Sequence, residues 1–160
     1  MYSEPTPLEL KQAEELIPLY DHDYPRNMIV HDMRSVDPKC VQYLNEILEK
    51  SDAQVVVSSS WRYVHTIPAL QKLLEIQGFK GEIIDITPID VRGKNILRGD
   101  EIQAWLHLNL EFTDGFVILD DDTDTCHLSD HLVRTDKAVG LTAEDAQRAL
   151  SIITFGPGGV

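Results

Sequence analysis

The chain has 160 residues, with 27 acidic against 14 basic side chains and a formal charge of −13 at neutral pH. That length supports one domain with its own core, and 42% apolar with 26% charged residues excludes a disordered or collagen-like chain. The charge repels polyanions and no Lys/Arg cluster supplies counterion release, which argues against duplex DNA binding but leaves open a single phosphorylated small molecule or nucleic-acid end.

From the N-terminus, Met1 to Pro5 lacks a basic start and an apolar stretch, so a cytoplasmic location is expected, with Cys40 and Cys126 as free thiols. Residues 1–27 hold Pro5, Pro7, Pro18 and Pro25 and read as an arm or cap-like segment, with one short helix from Leu8 to Leu16. The α/β domain is expected over residues 28–154 and a loose tail over 155–160. Asp37-Pro38 is an N-cap followed by proline at the first helical position, and Val41, Leu44, Ile47 and Leu48 share a face, predicting a helix over 38–50. Gln54 to Val57 reads as a buried strand that delivers the polar loop Ser58-Ser59-Ser60-Trp61. A helix from Thr66 to Ile76 stops at Gly78, and Glu82 to Ile86 is a second strand.

After a loop over 87–98, Gly99-Asp100 opens a helix with Ile102, Trp105 and Leu106 on its apolar face. Phe116 to Leu119 is the third strand and ends in Asp120-Asp121-Asp122-Thr123-Asp124. His131 to Arg134 is a short strand, and Thr142 caps a last helix running to Ile153. The longest apolar runs fall far short of the roughly 20 residues of a bilayer crossing, so no membrane span is expected. Strands separated by single helices, each nearly continuous in apolar residues, predict a three-layer α/β/α sandwich around a Rossmann-like parallel sheet.

In open parallel sheets ligands sit beyond the carboxyl ends of the strands, and two polar stretches lie there. Asp120 to Asp124 places four carboxylates in five residues, a repulsion that bound Mg²⁺ would relieve; the other reading is a solvated acidic turn. Ser58-Ser59-Ser60 offers hydroxyls and backbone N–H groups to phosphate oxygens, or is an ordinary turn that Trp61 and Arg62 fix. Arg98 is the best-placed cation to offset phosphate and crowded carboxylates, with Lys94 as a nearby competitor. No spacing among the six histidines and two cysteines suits zinc.

In order, Val55 to Arg62 (VVVSSSWR), Arg98 to Leu106 (RGDEIQAWL), Val117 to Asp122 (VILDDD), and Leu132 to Asp136 with Gly140-Leu141-Thr142 resemble the haloacid dehalogenase (HAD) superfamily. The closest resemblance is to the HAD-like domain of Swiss-army-knife RNA repair proteins, over about residues 36–153. It implies a Mg²⁺-dependent phosphohydrolase. Ser58 would hold the transferring phosphoryl group with Ser59 beside it, Arg98 would stabilise that group, and Asp120 and Asp121 would bind the metal with Asp124 as helper.

The family's first motif, an apolar strand ending in Asp-x-Asp-Gly that supplies nucleophile and general acid/base, is not found. Asp21-His22-Asp23 has two acids but is followed by Tyr24-Pro25, and Ile17-Pro18-Leu19-Tyr20 is a poor strand. Met28 to Asp32 is a better strand ending in Asp, although Arg34 stands where the second acid belongs; Asp32 or Asp21, whichever faces the serine and aspartate cluster, is the candidate nucleophile. The expectation is a chain that starts after the motif strand or a pseudo-enzyme that binds a phosphorylated ligand or a protein. Missing a central strand, it is expected to fill the gap with Met28 to His31 or to take a strand from a partner chain, with self-association to a homo-oligomer as a consequence.

Overall fold

The computed structural model describes residues 3–89 and 96–158. Helix α1 (Pro7–Leu16) begins at Thr6, whose hydroxyl accepts from Glu9 N at 3.1 Å while Glu9 Oε1 accepts from Thr6 N at 2.9 Å. This reciprocal cap satisfies two backbone donors that the first turn leaves without partners. Helix α2 (Arg26–Ser35) follows a turn that carries Tyr20, Asp21, His22 and Tyr24.

The expected strand from Met28 to Asp32 is therefore helical, and it fills no gap in a sheet. Ile29, Val30 and Met33 lie on one helical face and are buried against Ala13 and Leu16 of α1 and Ala69 and Leu73 downstream. Burial on a helix-period face overrides the weak β preference of a three-residue apolar run. The boundary expected between residues 27 and 28 falls inside α2.

Helix α3 (Pro38–Ser51) starts as its sequence dictates, with Asp37 accepting from Lys39 N at 2.9 Å and Pro38 at the first helical position. It ends at Asp52 in the left-handed region, φ 57°. Strand β1 (Val55–Val57) leads into a 3-10 turn, Ser60–Tyr63, then α4 (Ile67–Ile76), capped by the Thr66 hydroxyl, and β2 (Ile83–Ile86). Helix α5 (Arg98–Leu108), β3 (Ile118–Asp120), β4 (Leu132–Arg134) and α6 (Ala143–Phe155) complete the order, with α6 opened by a Thr142–Asp145 capping box.

The strands pair in parallel, β1 with β2 and β3 with β4, in two separate two-stranded sheets. Mixed α/β character with parallel strands matches the expectation; among the described residues the strands form two pairs rather than one continuous sheet. Helix α3 underlies both. Val41, Leu44 and Leu48 pack with Val55, Val57, Ile83 and Ile86, whereas Tyr43 and Ile47 pack with Leu119 and Val133 and with Ala146 and Ala149 of α6. On the other face of the β3–β4 pair, Ile118 and Leu132 meet Ile102 and Leu106 of α5. Among the described residues, no helix is long and apolar enough to cross a membrane.

Candidate phosphoryl site at the strand ends

Strand β1 ends at the serine loop and β3 ends at Asp120, and the start of α5 ties the two ends together. Gly99 N donates to Asp124 O at 2.9 Å, and Arg98 Nη1 donates to the Ser58 carbonyl. A Cβ at position 99 would overlap the Thr125 carbonyl, so only glycine lets α5 approach the acidic turn this closely. Trp105 Nε1 donates to Asp85 Oδ2 at 2.8 Å and anchors the middle of α5 to β2.

Arg62 organises the serine loop from beneath. Its side chain is fully buried and donates to the carbonyls of Ser58 (2.5 Å), Ser59 (2.9 Å) and Thr87 (3.2 Å), and it forms an ion pair with Glu101 of α5. A buried guanidinium is tolerable only because its N–H groups meet carbonyls and one carboxylate. Sequence reasoning placed Arg62 as a turn-fixing residue but missed Glu101, 39 positions away on another element. The remaining sign of Glu101 was its place among apolar helix neighbours.

Asp120 is half-buried. Burial pushes its carboxyl above the ordinary carboxylate value, and Asp121 and Asp124 raise it further, while the Asp122 N–H and the positive charge of Arg98 pull the other way. Asp120 Oδ1 accepts from Asp122 N at 3.1 Å, and Asp124 Oδ1 is buried without a hydrogen-bond partner. The structure thus brings together Ser58, Ser59, Arg98, Asp120, Asp121 and Asp124. Lys94 lies outside the described residues.

Asp32 lies on α2 against a cluster of rings. Tyr24 OH donates to Asp32 Oδ2 at 2.7 Å, His65 Nε2 lies 3.3 Å from the same oxygen, and Tyr20 OH meets His65 Nδ1 at 2.7 Å. Burial pushes His65 below the usual histidine value and Tyr24 up to about 12, the latter aided by Asp32. Asp21, the other acid considered for the first motif, binds His22 Nδ1 at 2.8 Å.

The donors at the acidic turn are hard oxygens, and the orphaned Asp124 Oδ1 beside a carboxyl that resists ionisation is the environment a divalent cation stabilises. Among the described residues, no group of three His, Cys, Asp or Glu side chains converges as a complete metal cage. The set fits a hard ion held by two carboxylates, with water and phosphate completing the shell, which is how Mg²⁺ is usually bound.

The sequence model of a family described as "HAD domain in Swiss Army Knife RNA repair proteins" matches residues 19–146. The chain belongs to this family. No curated protein and no solved structure matches it. The match covers every element from α2 to β4 and reaches into α6, so the two serine and aspartate ends lie in the HAD domain proper.

Proposed function

We propose that this HAD domain is a Mg²⁺-dependent phosphohydrolase whose substrate is a phosphorylated small molecule or nucleic-acid end. The observation that carries this reading is Arg98, which reaches the Ser58 carbonyl from the first turn of α5 and lies close enough to Asp120 to oppose the rise in its pKa. One cation thereby stands between a hydroxyl-bearing loop and a carboxylate cluster at the carboxyl ends of β1 and β3. A phosphate there would meet the Ser58 hydroxyl, the Ser59 backbone and the Arg98 guanidinium.

Asp120 and Asp124, with Asp121 adjacent, would hold Mg²⁺, which when bound neutralises phosphate charge and polarises its oxygens. Hydrolysis breaks the ester P–O bond, forms a P–O bond to the attacking oxygen and returns a proton to the leaving oxygen. The role of Ser58 and Arg98 in that exchange is to align the group and stabilise the equatorial oxygens. Arg62 and Glu101 act through them by fixing the loop.

The engagement of Asp32 with Tyr24 and His65 favours a second reading, a catalytically silent module that binds a phosphorylated ligand or protein without turnover. The test is release of phosphate from an aryl phosphate with Mg²⁺. The enzyme reading expects release that disappears on chelation and in Asp120→Ala; binding of phosphate without release selects the silent module.

A further inference from the structure

Two arginines meet at the Ser58 carbonyl, which accepts from Arg62 Nη1 at 2.5 Å and from Arg98 Nη1. Arg62 Nε donates in addition to the Thr87 carbonyl at 3.2 Å. Three stretches of chain therefore converge on the end of β1: the 3-10 turn after the serine loop, the segment that leaves β2, and the first turn of α5. Each carries a large apolar side chain that stays in solvent, with Tyr63 54% exposed, Ile89 49% and Leu97 44%. Single exposed apolar residues need no explanation, but three brought together from separate elements beside a polar site do.

Tyr63 is the most organised of the three. Its ring lies 4.7 Å from Arg62 Cζ, and its hydroxyl oxygen is 3.5 Å from Arg62 Nη2. The positive guanidinium attracts the negative face of the ring. The guanidinium itself has little freedom to move, because it is fully buried and held by the Ser58, Ser59 and Thr87 carbonyls and by Glu101. One face of Tyr63 is thus spent on Arg62, and its exposure leaves the other open to solvent. The neighbouring rings behave differently: Tyr20 and Tyr24 stack on each other, and Tyr20 and Trp61 pack against His65.

We propose that Tyr63 is a specificity residue of the phosphoryl site and that the substrate is a phosphate monoester carrying a planar aromatic group next to the phosphate, stacked on the open face of Tyr63. This inference rests on the phosphate reading given above. Arg62 supplies the link between the two halves of such a ligand. One end of its guanidinium sets the carbonyls of the serine loop that would cradle the phosphate, and its face backs the ring, so the spacing from phosphate to ring is built into the fold.

A flat ring backed by a fixed cation favours an aromatic group over an aliphatic chain, since stacking adds to what apolar burial alone gives. A tyrosine ring already held in place also loses little conformational freedom on binding. Ile89 and Leu97 supply apolar flanks, whereas the acidic turn at Asp120 to Asp124 and the net charge of −13 oppose further anionic groups on the leaving side.

The experiment is calorimetric titration of the full chain, with Mg²⁺ present, using inorganic phosphate, methylphosphonate, cyclohexylphosphonate and phenylphosphonate. The phenyl compound is expected to bind about tenfold tighter than the methyl compound and at least about threefold tighter than the cyclohexyl one. The phenyl-to-methyl ratio is expected to fall to near one in Tyr63→Ala and to be kept in Tyr63→Phe. Equal affinity for the three phosphonates, or a preference that survives Tyr63→Ala, overturns the inference and leaves the phosphate site standing. Cyclohexylphosphonate binding as tightly as the phenyl compound overturns the choice of a planar group. Binding of neither phosphate nor any phosphonate to a chain that melts cooperatively overturns the phosphate reading and this inference with it. The ligand series on the wild type decides the matter even where a Tyr63 variant fails to fold.

Discussion

Replacing Glu101 by Gln removes the carboxylate that, among the described residues, forms an ion pair with the buried Arg62 guanidinium, while keeping the shape of the side chain. Arg62 is fully buried and cannot recover the lost charge from water, and its carbonyl partners at Ser58, Ser59 and Thr87 supply dipoles only. Breaking such a pair from one side costs about 3–5 kcal/mol, because one ion stays buried and uncompensated. Against a total of roughly 5–15 kcal/mol for a single domain, that is a large share of the stability. With a urea slope of about 2 kcal/mol per molar, the unfolding midpoint is expected to fall by roughly 2 M.

The assay is equilibrium urea unfolding of wild type, Glu101→Gln, Arg62→Met and the double variant Arg62→Met with Glu101→Gln. The double variant is expected to be more stable than the two single losses summed, by up to about 3 kcal/mol of coupling. Full recovery is not expected, since Arg62→Met strips donors from three carbonyls. A Glu101→Gln loss below about 1 kcal/mol, within the range of exposed ion pairs, would refute the reasoning that the pair is a buried clamp.

Two further substitutions probe the same strand ends. Gly99→Ala puts a Cβ onto the Thr125 carbonyl and is expected to destabilise by about 1–3 kcal/mol, lowering Tm by roughly 2–4 °C per kcal/mol; an unchanged Tm would show that α5 does not depend on this contact. Asp120→Asn is expected to raise Tm in metal-free buffer at pH 7. The carboxyl's pKa is raised by burial and by neighbouring acids, so the folded state favours the protonated form. Stability from this group is full below the ordinary carboxylate pKa and falls as pH rises through the raised one. The gain over wild type should therefore vanish below about pH 4, and a pH-independent difference would contradict the assignment.

Local signals carried most of the fold. Asp37-Pro38, Thr66 and Thr142 were legible as helix starts because a cap is a contact between residues two or three apart. The four strands were legible as β-branched or aromatic runs between turn residues. Two things were not legible for one physical reason, that they are long-range. Met28 to Val30 carries strand-forming residues, yet α2 forms because its buried face meets α1 and α4, which only the folded chain brings together. The division of the sheet likewise follows from strand pairing, which no single run encodes. Of the candidate site, Ser58, Arg98 and Asp120 stand out in the sequence because they follow strands or open a helix, whereas Glu101 and His65 became visible only through their partners Arg62 and Asp32.

The central claim is that Ser58, Arg98 and Asp120 form one phosphate and Mg²⁺ site. Calorimetric titration of Mg²⁺ into the chain with inorganic phosphate present, compared with Asp120→Ala, tests it most directly. The account predicts a single saturable binding event in which phosphate and Mg²⁺ each tighten the other, lost in the variant. Equal heats for both proteins, or no binding of either ion to a chain that melts cooperatively, would contradict it.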